Sequence, residues 1–119
     1  MFDLFFDRTG NFPSIDLLES ETSYKLFADM PQMKKEDVKV NTEDGNLLCI
    51  SGKRLCNYSN DEQHEIVFSE RAFGSFKKCL RLRDPIDVDG VSAQFTDHVL
   101  QVVVPKTTTS KTKSFIDVN

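Results

Sequence analysis

Apolar residues recur at every second position over several short stretches of the chain. Tyr24, Leu26, Ala28 and Met30 form the first. Val38 and Val40, then Leu48 and Ile50, then Phe76, Leu80 and Leu82, then Val91, Ala93 and Phe95, then Leu100, Val102 and Val104 repeat the pattern, with Lys78 on the apolar face of its own stretch. Alternate side chains of an extended chain share a face, so each stretch is predicted to be a strand with one side buried. Helical spacing is nowhere sustained long enough to predict a helix. Turn signals separate the stretches: Asp44-Gly45-Asn46, Ser51-Gly52, Asp84-Pro85, Asp89-Gly90 and Asp97-His98. Short strands and frequent turns predict an all-β, antiparallel β-sandwich.

Two regions depart from this pattern. Residues 53–63 are polar, and "HEIVFSER" after them is extended, with Ile66 and Phe68 on one face. Together they predict a long loop carrying its own strand. After Pro105 a run of Thr, Ser and Lys ends in Phe115, Ile116, Asp117 and Val118. Ile116 and Val118 are two apart, so an extended tail puts both on one face and Asp117 on the other. The expected organisation is a short apolar arm at 1–11, one folded domain at 12–105 and a flexible tail at 106–119.

Composition narrows the function without naming it. The net charge is −4, and the basic residues are scattered rather than banded, which argues against nucleic acid as a partner. Aromatic usage is skewed, with ten Phe, two Tyr and no Trp. The opening "MFDLFFDRTG" lacks the basic start and long apolar run of a signal peptide, and no stretch is apolar enough to span a membrane. Cys49, Cys56 and Cys79 are odd in number and irregularly spaced, which favours reduced thiols over a disulfide framework. A cytoplasmic location is expected.

Catalytic and metal readings find little to stand on. Cys56 and His64 are the only thiol and imidazole near each other in sequence, and a solvated loop thiol beside an ordinary histidine accounts for them. No CxxC or HxxxH spacing suggests a metal site, and "SGKR" is not a phosphate loop. "NTEDGN" has no bidentate glutamate where a calcium loop needs one, and is read as a hairpin turn with Asp-Gly supplying positive φ angles. No enzyme activity and no cofactor are expected.

Four segments in order carry a more specific signal: "PSIDLLES", "YKLFADMPQMKKEDVKVNTEDGNLLCISGKR", "ERAFGSFKKCLRL" and "VSAQFTDHVLQVVVPK". Together they resemble the α-crystallin domain of the small heat shock proteins, and the terminal Ile116-Asp117-Val118 resembles that family's I-x-I/V tail. Pro31-Gln32 stands where the family usually has Pro-Gly, Asp97-His98 where it usually has Asn-Gly, and Lys77 and Lys78 where many members have Arg.

The resemblance implies an immunoglobulin-like sandwich and an ATP-independent holdase that binds unfolding client proteins and prevents their aggregation. It implies a dimer built by strand exchange, in which Ile66 and Phe68 pair near Ile15 and Leu17 of a partner and Glu70 and Arg71 make charged contacts. It also implies that Ile116 and Val118 anchor the tail in a groove lined by Val38, Val40, Val91, Ala93 and Phe95, on the same subunit or a neighbour, linking dimers into a higher oligomer. Phe2, Leu4, Phe5 and Phe6 are the candidate client contacts, since aromatic area binds without directional demands. A p23-like co-chaperone is the alternative, sharing the sandwich but neither the exchanged strand nor the tail.

Overall fold

The computed structural model describes residues 4–5, 12–58, 60–107 and 114–119. Their strands are β1 (Leu4–Phe5), β2 (Ile15–Glu19), β3 (Ser23–Asp29), β4 (Val38–Glu43), β5 (Leu47–Arg54), β6 (Gly74–Arg81), β7 (Ser92–Thr96), β8 (Val99–Pro105) and β9 (Ser114–Ile116). Single 3-10 turns at Lys35–Asp37 and Val88–Gly90 are the only helical segments among the described residues. Every strand pairing within the sheets is antiparallel, in the orders β1-β6-β5-β4-β9 and β2-β3-β8-β7. The fold is the expected all-β sandwich.

The alternating positions supply the core between the sheets. Leu26, Met30, Leu48, Ile50, Leu80, Leu82, Leu100, Val102 and Val104 are all almost completely buried there. Burying one such side chain stabilises the fold by about 1.5–3 kcal/mol, which is why alternation decides the face. Lys78 lies on this face as its position requires, and its Nζ donates to the Pro13 carbonyl at 2.6 Å. Desolvation pulls its pKa below the ordinary lysine value.

The turns show how the chain manages without glycine. Asp97 and His98 join β7 to β8 with φ of 53° and 65°, and Gln32 after Pro31 has φ 63°. All three hold a left-handed conformation that costs a side chain-bearing residue about 1–2 kcal/mol. The Asp44-Gly45 turn is left-handed as expected, at 51° and 78°.

Two expectations need correction. Ser51-Gly52 is no turn but lies inside β5. A Cβ on Gly52 would collide with the Asp37 carbonyl oxygen, so the glycine serves close backbone approach. Residues 64–70 of "HEIVFSER", expected to pair with a second copy, have no ladder partner within this chain. The cysteines are not all reduced: Cys49 and Cys79 are disulfide-bonded and Cys56 is free. The β5–β6 register sets Cys49 directly opposite Cys79, with Cα atoms 4.0 Å apart. That closeness is created by strand pairing and cannot be seen in a separation of 30 residues.

Candidate functional site

The open edges of the two sheets create a groove, and the C-terminal segment lies in it. β4 is paired with β9, matching Val40 to Ile116, Asn41 to Phe115 and Thr42 to Ser114. Past β9 the chain reaches the other sheet, where Val118 bridges Ala93 in parallel fashion. The Asn119 N–H donates to the Ala93 carbonyl at 2.8 Å, and the Phe95 N–H donates to the Asn119 carbonyl at 2.6 Å. Val38, Val40 and Ala93 are buried. Val91 and Phe95 are half-buried, and Ile116 and Val118 pack against the same core while Asp117 is exposed. The segment therefore joins the edges of both sheets on its own chain, with its two aliphatic residues inward.

A second feature is the loop between β5 and β6. Ile66, Val67 and Phe68 are 66%, 96% and 79% exposed, an apolar triplet fully presented to solvent. Isolated exposed apolar residues are ordinary, but three in succession on an extended segment are not. The loop curls around a space of about 1040 Å³, lined in part by Cys56, Tyr58, His64 and this triplet. Val67 is the residue that alternation alone passed over, because it lies opposite Ile66 and Phe68. His64 Nδ1 lies 3.0 Å from Asp61 Oδ2. Backbone donation from Gln63, with help from His64, holds the Asp61 carboxyl below its ordinary pKa.

The root of that loop is firmly held. Buried Arg54 donates from Nη1 to the Ala72 carbonyl at 3.0 Å and stacks over the rings of Phe12 and Phe73. Arg71 also lies over the Phe73 ring and donates to Gln32 Oε1 at 2.5 Å, so within one chain it is engaged locally; Glu70 beside it is exposed. Burial, then the Arg71 charge, lowers the Arg54 pKa.

The edge strand β2 presents Ile15 and Leu17 inward, half-buried against the core, and Leu18 outward at 51% exposure. Its pairing is to β3 alone, so its other edge has no strand beside it among the described residues. Glu19 at its end meets Lys106 at 2.6 Å and Arg83 at 3.1 Å, and Lys106 meets Asp84 at 2.9 Å. The Lys106 and Arg83 contacts lower the Glu19 pKa, the Lys106 contact chiefly lowers that of Asp84, and Glu19 chiefly raises that of Lys106.

At the other end of the chain, Leu4 pairs with Leu80 and Phe5 with Cys79, so β1 occupies the edge of β6. Sequence reading gave no sign of this pairing. Phe2 and Phe6 lie outside the described residues. Also among the described residues, no group of three or more His, Cys, Asp or Glu side chains could hold a metal ion, and no helix is long and apolar enough to cross a membrane.

Residues 16–119 match the model of the Hsp20/alpha crystallin family. A 16.9 kDa class I heat shock protein 3 from Oryza sativa subsp. japonica is 40% identical over 99 residues, covering 82% of this chain and 64% of the relative. Heat shock protein 16 from Schizosaccharomyces pombe is 36% identical over 105 residues, covering 87% of this chain and 73% of the relative. Among solved structures, heat shock protein 16.0 from Schizosaccharomyces pombe superposes with a TM-score of 0.73 at 36% identity, over 83% of this chain and 69% of that one. A small heat-shock protein from Xylella fastidiosa, described as having a distinct high order structure, superposes with a TM-score of 0.69 at 31% identity, over 83% of this chain and 89% of that one. The chain thus spans just under two thirds of the length of its rice relative.

Proposed function

The chain belongs to the Hsp20/alpha crystallin family, and from that premise we propose that it is an ATP-independent holdase chaperone, a binding protein and not an enzyme, that holds unfolding polypeptides and keeps them from aggregating. The observation that carries this reading is the family match across residues 16–119, supported by superposition on small heat shock proteins. Client contact is assigned to the apolar arm, Phe2, Leu4, Phe5 and Phe6. Holding by apolar area needs no nucleotide and no cofactor, and it acts in the cytoplasm on chains that expose apolar surface under stress.

The building block in this reading is a dimer. The solvent-presented Ile66-Val67-Phe68 segment has no ladder in its own chain, and β2 offers an edge without a neighbour. An extended segment adding to a sheet edge satisfies both, with Ile66 and Phe68 meeting the region of Ile15 and Leu17 of a second copy and Glu70 and Arg71 at the rim. The groove that holds Ile116 and Val118 on one chain has the same shape on every copy, so the tail docks either at home or on a neighbour. Exchange between those two placements links dimers into larger assemblies. Residues 12–105 form the domain in this scheme, flanked by the arm and the tail.

Light scattering of a heat-stressed test protein, without ATP, tests the function. Suppression at roughly stoichiometric ratios is the expected result. Undiminished scattering at an excess of this protein refutes the holdase reading.

A further inference from the structure

Cys49 and Cys79 take no part in the core between the sheets. Their strand neighbours Leu48, Ile50 and Leu80 face inward, so the two cysteines occupy the opposite face of the sheet, where they form a small buried patch with Leu47. The ladder around them runs through eight register pairs, from Leu47 with Arg81 to Arg54 with Gly74. That ladder and the core behind it hold the two sulfurs together independently of the bond. The bond encloses the loop that presents Ile66, Val67 and Phe68, but sits five register steps inside the ladder from the loop's root at Arg54 and Gly74. Cys56, half-buried at the start of the loop, lies outside the ladder and is not paired with either.

We propose that Cys49 and Cys79 are a reversible thiol–disulfide couple, closed by low-molecular-weight disulfides under oxidising conditions and opened by thiol reductants, which sets the heat resistance of the subunit without changing its fold. Cys49 is 0% and Cys79 4% exposed, so the closing reaction runs through local opening of the sheet: one cysteine thiolate then attacks the small disulfide, forming a mixed disulfide and releasing one small thiol. The second cysteine thiolate then attacks the protein sulfur of that mixed disulfide and releases the second small thiol. Two protein thiols are oxidised, one external disulfide is reduced, and the two protons lost by the cysteines are taken up by the released thiolates. Closing is favoured over capping because the ladder keeps the second sulfur opposite the first. The bond constrains the unfolded chain more than the folded one, so the oxidised form melts higher.

The test uses the full chain carrying Cys56→Ser, which removes the competing thiol. It is reduced, equilibrated with glutathione disulfide, and compared with the chain that also carries Cys49→Ala and Cys79→Ala. Peptide mass mapping is expected to find Cys49 linked to Cys79 with both hydrogens lost. The melting temperature is expected to rise on oxidation by on the order of 10 °C, with unchanged strand content by circular dichroism. The triple variant is expected to melt alike in both conditions, whatever its own stability. Two free thiols or stable glutathione adducts after equilibration overturn the proposal. So does a bond with no change in melting, or loss of the sheet on reduction, which would make the bond a structural requirement and not a switch.

Discussion

Replacing Ile116 and Val118 together with alanine isolates what holds the C-terminal segment in its groove. Both side chains are half-buried against the core, so each loses part of the cost of a fully buried truncation, about 1–1.5 kcal/mol apiece and about 2–3 kcal/mol together. The backbone contacts at Ala93 and Phe95 survive the substitution and contribute only about 0.5–1.5 kcal/mol each. Ordering the segment consumes much of that. The apolar pair therefore accounts for most of the docking free energy.

The Phe95 amide reports docking directly, because its hydrogen bond ends on the Asn119 carbonyl and not on a strand of the domain. A docking free energy of about 2–3 kcal/mol protects this amide about 30- to 150-fold against hydrogen exchange. In the Ile116→Ala, Val118→Ala protein the protection should fall to nearly none, while Leu26 and Val102 in the core ladder keep theirs. Asp117→Ala should leave Phe95 protected, since that side chain faces water. Phe95 protection that persists in the double variant, or that disappears with Asp117→Ala, refutes the placement of the binding energy in the two aliphatic residues.

Ile66→Asp with Phe68→Asp puts two charges into the segment assigned to strand exchange; sedimentation should show monomers with an intact sheet, and an unchanged dimer would refute the exchange. Gln32→Gly relieves a left-handed φ of 63° at the loss of the hydrogen bonds that Gln32 Oε1 accepts from Arg71 and, at 3.5 Å, from Arg54, and should stabilise the protein by about 0.5–1 kcal/mol in urea unfolding. A lower midpoint would mean that the contacts of Gln32 with Arg71 and Arg54 outweigh the backbone strain. The Glu19, Asp84 and Lys106 cluster gives a signed pH dependence. Glu19 and Asp84 have pKa values below their ordinary 4.5 and 3.8, so their contribution is complete above those values and is lost as pH falls through the lowered ones. Lys106, raised above 10.5, contributes fully below that value and loses its effect as pH rises past its folded pKa. Lys106→Met should therefore lower the melting temperature at pH 7 more than at pH 3, and equal losses at both would assign the effect to packing over Tyr24.

Alternation by itself determined the strands β3 to β8, because burial of one face is a property each strand carries in its own residues. The turn at Asp44-Gly45 and the inward pairing of Ile116 with Val118 were legible for the same local reason. β2 was harder, since adjacent Leu17 and Leu18 blur the alternation, and only the resemblance pointed to it. What the tertiary structure alone decided is pairing between distant segments. The partnership of Cys49 with Cys79, the lodging of Leu4–Phe5 on β6, and the span of the tail from β4 to β7 all depend on register across long connections. No local pattern encodes register, because a strand's periodicity says which face is buried and not which neighbour lies beside it. The glycine at position 52 makes the same point in reverse: composition marked a turn, and only the approach of the Asp37 carbonyl explains why a strand needs a residue without a side chain there.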